Sequence, residues 1–389
     1  MTDTTAKPRR LLALDIMRGI TIAGMIMVNN PGSWEHIYAP LRHAEWNGLT
    51  PTDLVFPFFM FIMGVSTYFS LRKYEFRHSW QAIWKILRRT VVIFFIGLAI
   101  AWLGLSLRGM AGGKELAEAM LNFDHIRILG VMPRLAICYG VGSVLALWLR
   151  HRWLPWTIAA ILVVYAIIIV TGKGYDFSAD NIIARADLAV LGDSHMYHMT
   201  VNGTRLAFDP EGLLSTLPSI AHMLIGFLCG RMIVSVKDNY RRITYLFIIG
   251  TILTFAGFLL DYGLPINKKI WSPTFVLTTC GLASSLLGLL IWIIDIKGYR
   301  RWSRFFEAFG INPLFMYCLG AVLSIVLGAI HVPYDGDVTS AGGWVYRAVM
   351  TPLCGGDETL ASLLFALAFV GFNWIFGYWL YKKKIYIKI

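Results

Sequence analysis

The residues whose types and spacing can do chemistry cluster at a few places in this 389-residue sequence. The stretch RHAEWNGLTPTDLVFPFFMFIMG (residues 42–64) passes from a polar turn into an apolar run, with His43 at the junction. An imidazole there titrates near neutral pH and suits a general base; a solvated loop histidine is the plainer alternative. Trp46 and Asn47 follow at once, and Asp53 stands one turn into the next segment. Upstream, LLALDIMRGITIAGMIMVNN places Asp15 and Arg18 three residues apart, able to pair on one helix face. Asn29 lies eleven residues after Arg18, which returns it to within ~20° of that face, ~16 Å further along. These three either line a polar path or form a packing pair with an end cap.

RILGVMPRLAICYG sets Arg127 and Arg134 seven residues apart, on one face if both are helical. An arginine inside an apolar segment needs an anion, either Asp15 or the phosphate of a ligand, which its forked donors suit. In the turn DPEG, Asp209 and Pro210 suit a cap and first turn of the following helix. The carboxylates Asp209 and Glu211 alternatively hold a cationic or hydroxyl-rich acceptor. His195 and His198 make an HxxH without a third ligand, so no metal site is expected. His195 is retained as a substrate-binding candidate.

The elements that must position these residues are helices in a membrane. Of the residues, 57% are hydrophobic and only 15% charged, against roughly 25% charged in soluble domains, and the mean hydropathy is +0.61. Ten apolar spans are expected: 11–30, 50–71, 86–105, 126–149, 154–171, 213–234, 243–262, 274–294, 307–330 and 358–380. The fold class is therefore all-α and polytopic, one membrane domain over 1–389 with a large extracytoplasmic loop at 171–212. That loop contains a candidate short helix (NIIARADLAVL) and a hairpin (MTVNGTRLAF) turning at Asn202-Gly203. The basic start has no small-residue cleavage site, so the first span is expected to be retained.

The net charge of +12 is not a nucleic-acid signature. The termini and the loops on their side hold 22 of the 35 Lys and Arg residues, which puts both termini in the cytoplasm. The tail YKKKIYIKI is then a lipid-surface anchor. Function is expected on the opposite side, where the connections are long. Four of the five cysteines sit in apolar spans and none shows metal-ligand spacing, so neither disulfide nor zinc is expected.

Taken together, these segments resemble the heparan-α-glucosaminide N-acetyltransferase family. The resemblance is carried by LALDIMRGITIAGMIMVNN, RHAEWNGLTPTDLVFPFFMFIMG, RILGVMPRLAICYG, LGDSHMY…FDPEGLLSTLPSI, LPINKKIWSPTFVL and FGINPLFMY, in family order from about residue 11 to 320. It implies transfer of an acetyl group from cytosolic acetyl-CoA, across the membrane, to the amine of a terminal glucosamine. The implied active-site histidine falls on His43 and the nearby catalytic asparagine on Asn29. Acetyl-CoA is implied within the bundle, with Asp15, Arg18, Arg127 and Arg134 as its candidate contacts. Trp46, Asn47, Asp53, His195, Asp209 and Glu211 are candidates for the amino-sugar or glycan acceptor. A homodimer is implied as well. The sequence does not show the family's lysosomal lumenal domain and extra helix, a departure that fits a bacterial inner membrane. Both direct transfer and an acetyl-histidine intermediate are chemically open. A sugar or ion transporter is the alternative from another class, since a polar path serves one equally well.

Overall fold

The computed structural model describes residues 11–387. Lys7, Arg9 and Arg10 of the basic start, and the last two residues of the basic tail, lie outside them. The chain begins with α1 (Leu12–Val28), α2 (Val55–Arg72), α3 (Trp80–Ala111), a short α4 (Leu116–Leu121), α5 (Val131–Trp148) and α6 (Leu154–Thr171). The large loop follows, with α7 (Ile182–Leu191) and the hairpin β1 (His198–Val201) and β2 (Thr204–Ala207). Next come α8 (Thr216–Ser235), α9 (Asn239–Asp261), α10 (Pro273–Leu290), α11 (Ser303–Ile311) and α12 (Pro313–Ala329). A second hairpin, β3 (His331–Tyr334) and β4 (Asp337–Ser340), leads through the short α13 (Ala341–Trp344) and α14 (Thr351–Leu353) to α15 (Glu358–Lys382).

Among the described residues, eight helices are long and apolar enough to cross a membrane, or nine if one bent pair counts as a span. The first expected span is α1, with 17 residues. It is buried on most sides, and its sequence keeps Asp15 and Arg18 inside. The span expected over 307–330 is instead the bent pair, α11 and α12, which meet at 88°. Pro313 starts α12 without a backbone donor, and Asn312 at the corner is tied to the tail. Its carboxamide donates to the Ile385 carbonyl (2.9 Å) and accepts from Ile387 N–H (2.8 Å).

Close helix crossings hold the centre. A Cβ on Gly19 of α1 would lie 1.8 Å from the Phe306 carbonyl oxygen of α11, and one on Gly310 of α11 would lie 1.9 Å from the Asp15 carbonyl oxygen. α2 and α8 approach in the same way at Gly64, where a Cβ would stand 2.0 Å from the Met223 carbonyl oxygen. Small residues at crossings let backbones touch where lipid provides no hydrophobic drive for helix association.

The long connections converge at one end of this bundle. Gly48 N–H donates to the Ile266 carbonyl (2.7 Å), joining the 29–54 segment to the 262–272 turn. The Trp46 indole donates to the Tyr175 carbonyl (2.6 Å) and packs edge-on against Phe177 and Phe208, pinning the large loop to the same place. The loop also contains both expected elements. α7 starts at Asn181, whose side chain accepts Ile183 N–H. β1 and β2 pair Val201 with Thr204 across Asn202 and Gly203, both with positive φ. That backbone is the type I′ geometry an Asn-Gly hairpin adopts.

Candidate active site

The approach to α2 is built around one buried carboxylate. Thr50 opens a capping box, and Pro51 starts the single turn that ends at Leu54. Asp53 is fully buried within this turn. Its Oδ2 accepts three donors, Ala44 N–H (3.1 Å), Thr50 N–H (3.1 Å) and Thr50 Oγ1–H (2.9 Å). Its Oδ1 faces His43 Nδ1 at 2.6 Å. So many donors hold Asp53 as an acceptor-only carboxylate. The 2.6 Å contact therefore puts the imidazole proton on Nδ1 and the lone pair on Nε2, which has no hydrogen-bond partner among the described residues. The side chain of His43 is 32% exposed. Burial lowers its basicity; the hydrogen bond to Asp53 opposes this and the Lys268 charge adds to it, leaving the His43 pKa below the ordinary 6.5. A neutral imidazole held in one tautomer by a buried carboxylate is equipped to take a proton from a bound molecule.

Lys268 was not singled out by its sequence. Its ammonium lies 3.1 Å from His43 Nδ1 and 3.4 Å from Asp53 Oδ1. The INKKIWS segment that carries it makes a tight turn. Asn267 Oδ1 accepts Lys269 N–H (2.7 Å) and Ile270 N–H (3.2 Å), and its amide donates to Asn47 Oδ1 (3.0 Å). Asn47 is thus a clamp between the two loops. Trp46 is likewise occupied as an anchor of the large loop.

A second charged cluster stands beside the first. Arg127 grips Asp209 through Nε (2.9 Å) and Nη2 (2.6 Å) and also reaches Glu211 (2.6 Å), while lying over the Tyr197 ring. Burial pushes the Glu211 carboxyl up, but Arg127, Arg134 and Lys268 together hold the group below its usual range, so the two clusters sense each other. Two expectations change here. α5 begins at Val131, so Arg127 lies in the preceding loop and does not share a helix face with Arg134. α8 begins at Thr216, so Asp209 and Pro210 are neither its cap nor its first turn; the Arg127 guanidinium, not a helix end, claims Asp209.

Arg134 sits in the first turn of α5, fully buried. Its partners are Ser215 Oγ, the Gly212 carbonyl (3.2 Å) and the face of Trp271 (5.1 Å), rather than Asp15. Asp15 pairs with Arg18 at 3.1 Å, and Arg18 also donates to Ser66 Oγ of α2 (2.8 Å). The packing role of that pair is therefore realised. His195 uses Nδ1 on the Ile126 carbonyl (2.8 Å), which fastens the large loop to the Arg127 segment. Among the described residues, no group of three His, Cys, Asp or Glu side chains is placed to hold a metal ion. Asn29 ends α1 as an exposed C-cap. No hydrogen bond joins it to His43, and its carboxamide has no hydrogen-bond partner among the described residues.

Between α3, the 125–133 segment that leads into α5, and α12 lies a cleft of about 560 Å³ whose mostly apolar lining includes Arg108, Arg127, Tyr197 and Tyr317. The large loop supplies a further buried acid that the sequence did not reveal. Asp187 of α7 accepts Leu213 N–H (2.8 Å) and Leu214 N–H (3.3 Å), which docks α7 on the entry to α8. Burial pushes its carboxyl up to about 6 from the ordinary 3.8. A raised folded-state pKa means the ionised form burdens the fold: the stability is complete below about 3.8 and is lost as pH rises through about 6. Asp187→Asn keeps one acceptor and removes the charge. Its melting temperature in detergent is expected to exceed wild type at pH 8, by up to about 3 kcal/mol in stability terms, and to lose the advantage by pH 4. An advantage independent of pH would contradict this origin.

Comparison with known proteins adds a second line. A family model described as a domain of unknown function, DUF5009, matches residues 10–132, which contain Asn29, His43 and Asp53. The chain is 28% identical to heparan-alpha-glucosaminide N-acetyltransferase of Mus musculus over 437 residues, covering 98% of this chain and 60% of that protein. It is 29% identical to the Homo sapiens protein of the same name over 370 residues, covering 80% of this chain and 53% of that one. The chain thus spans between half and three fifths of the length of these curated relatives.

Proposed function

We propose, from the premise that the chain is a family-level relative of the heparan-α-glucosaminide N-acetyltransferases, that it is a transmembrane acetyltransferase. It uses His43 to move an acetyl group from acetyl-CoA to the amine of a terminal glucosamine or another amino sugar. The observation that carries this reading is the His43–Asp53 pair, with Nδ1 bonded at 2.6 Å and the Nε2 lone pair left for a bound molecule, at the end where the long loops meet. We place this end on the extracytoplasmic face of a bacterial inner membrane and both termini in the cytoplasm, as the positive-inside bias supports.

In this reading Nε2 of His43 accepts the proton from the acceptor ammonium or from the attacking amine. The nitrogen lone pair forms the bond to the thioester carbonyl carbon, the C–S bond breaks, and the departing CoA sulfur takes a proton from the imidazolium. Asp53 keeps the ring in its tautomer and balances the transient imidazolium charge. Asn29, whose carboxamide has no partner among the described residues, donates to the carbonyl oxygen as negative charge develops there. Removing one such donor elsewhere costs ~10²–10³-fold in turnover. Asn29→Ala is accordingly expected to lower kcat about 10²-fold with little change in KM; a KM effect alone would reassign Asn29 to acceptor binding.

Arg18 remains the candidate for the CoA phosphates. It sits ~16 Å along α1 from Asn29, a spacing over which a phosphopantetheine arm can extend. Arg127 already serves two carboxylates and Arg134 is enclosed by the 212–215 turn and Trp271, so neither is assigned to phosphate. Asp209 and Glu211, bonded to Arg127 at the edge of the cleft's lining, are assigned to the acceptor side through that arginine. The test is mass spectrometry of products from purified protein, acetyl-CoA and a panel of amino sugars. An added acetyl group on at least one is the expected result; transfer to none, with thermal stabilisation by free sugars but not by CoA, favours a transporter instead.

A further inference from the structure

The Asp53 carboxylate has one oxygen for two cationic partners. Three donors from Ala44 and Thr50 saturate Oδ2, so Oδ1 alone serves both His43 and Lys268. An isolated aspartate beside a histidine favours the imidazolium, and an imidazolium has no lone pair with which to accept a proton. We propose that Lys268 is a positioning residue for the transfer reaction: its ammonium shares Asp53 Oδ1 with His43 and so reserves the imidazole for the substrate's proton. This inference rests on the acetyl-transfer reading above.

The geometry gives the ammonium little freedom to do otherwise. The Lys268 side chain is only 14% exposed. Its turn is fixed by the Asn267 bonds to Lys269, Ile270 and Asn47, by Asn267 N–H on Ser272 Oγ (3.0 Å) and by Gly48 N–H on Ile266. Trp271, in the same turn, is buried with a φ of 52°, a left-handed backbone that a bulky residue adopts only where its surroundings enforce it. With Asp53 ionised, Lys268 charged and His43 neutral, the triad carries no net charge. A proton on His43 would add a positive charge 3.1 Å from the ammonium.

The charged groups facing the imidazole are Asp53 from the entry to α2 and Lys268 and Lys269 from the 262–272 turn. Burial opposes the Lys268 charge most and holds its pKa below the ordinary 10.5, and Lys269 adds to this; Asp53 and, from the turn before α8, Glu211 sustain the charge. The ammonium is thus a cation retained by its carboxylate, not a solvated surface lysine.

Lys268→Met removes the charge and keeps most of the volume. Without the ammonium, Asp53 stabilises the imidazolium unopposed, so the acid limb of kcat/KM is expected to move to higher pH by about one unit. Activity lost near neutrality returns on the alkaline side, and Lys268→Arg restores the wild-type limb. A uniform loss at every pH, with the limb unmoved, would reduce Lys268 to a structural partner of Asp53 and overturn the proposal. CoA-dependent thermal stabilisation reports whether the variant is folded. If Lys268→Met does not fold, the same comparison is made with Lys268→Gln, and the titration of His43 is read directly by NMR of histidine-labelled protein. That titration separates the two ideas: should the wild type acetylate no amino sugar, an upward shift of His43 in the variant still supports the triad, and an unshifted one refutes it.

Discussion

His43→Ala is expected to lower acetyl transfer by about 10³-fold or more while leaving CoA-dependent thermal stabilisation intact. A positioned general base contributes ~10²–10⁴-fold, and this is the histidine that the structure brings against Asp53 through Nδ1. The loss is expected to be greatest below neutral pH, where less of the acceptor is already a free amine, and smallest at pH 9. Because the His43 pKa lies below 6.5, the acid limb of the wild-type profile falls below the range of an unperturbed histidine. Release of CoA before acceptor is added, in one burst equal to the enzyme, would identify an acetyl-histidine intermediate; CoA release only with acceptor present identifies direct transfer. Retention of more than a tenth of wild-type turnover in His43→Ala would remove the histidine from the mechanism.

Asp53→Asn carries the second large effect, through the histidine's tautomer. The three donors at Oδ2 require an oxygen there, so the new amide must turn its NH2 toward His43 and Lys268. An NH2 facing Nδ1 at the 2.6 Å position makes that nitrogen an acceptor and drives the ring proton to Nε2. The ring then presents a hydrogen to the amine where it must present a lone pair. The Lys268 ammonium meanwhile loses its counter-charge. Turnover is expected to fall ~10³–10⁴-fold, as when the orienting carboxylate of a catalytic triad becomes an amide. Loss of the capping carboxylate costs about 1–2 kcal/mol of stability besides, read as a lower melting temperature. Asp53→Ala removes the competing donor as well as the acceptor. It is therefore expected to be more active than Asp53→Asn; the reverse order would show that tautomer control is not the role of Asp53.

Much of the architecture follows from local rules and could be read directly. The Asn202-Gly203 hairpin forms because two consecutive positive φ angles suit those residues. α6 runs over Leu154–Thr171, the bounds its uninterrupted apolar pattern indicates. α7 starts where Asn181 can cap it. Asp15 pairs with Arg18 because a three-residue spacing fixes that geometry on any helix. His43 and Asp53, ten residues apart across a short turn, were both visible as candidates, although Asp53 was assigned to the acceptor and not to His43.

The misread features share a cause, which is pairing between distant segments. Asp209 looks like a helix cap until Arg127, 82 residues earlier, takes both its oxygens. The 307–330 segment looks like one span, but Pro313 opens a new helix across an 88° corner, where tail residues satisfy Asn312. The sequence by itself determined a largely helical, apolar fold, its main segments and the histidine in the turn before an apolar helix, because hydrophobic length, turn chemistry and i,i+3 spacing act within a few residues. Only the tertiary structure decided which groups that histidine is paired with. Lys268 lies 225 residues away in sequence, and nothing in INKKIWS declares which carboxylate will claim its charge. That choice is made when the loops close over one another and a buried anion must be neutralised by whichever cations the packed helices deliver to it.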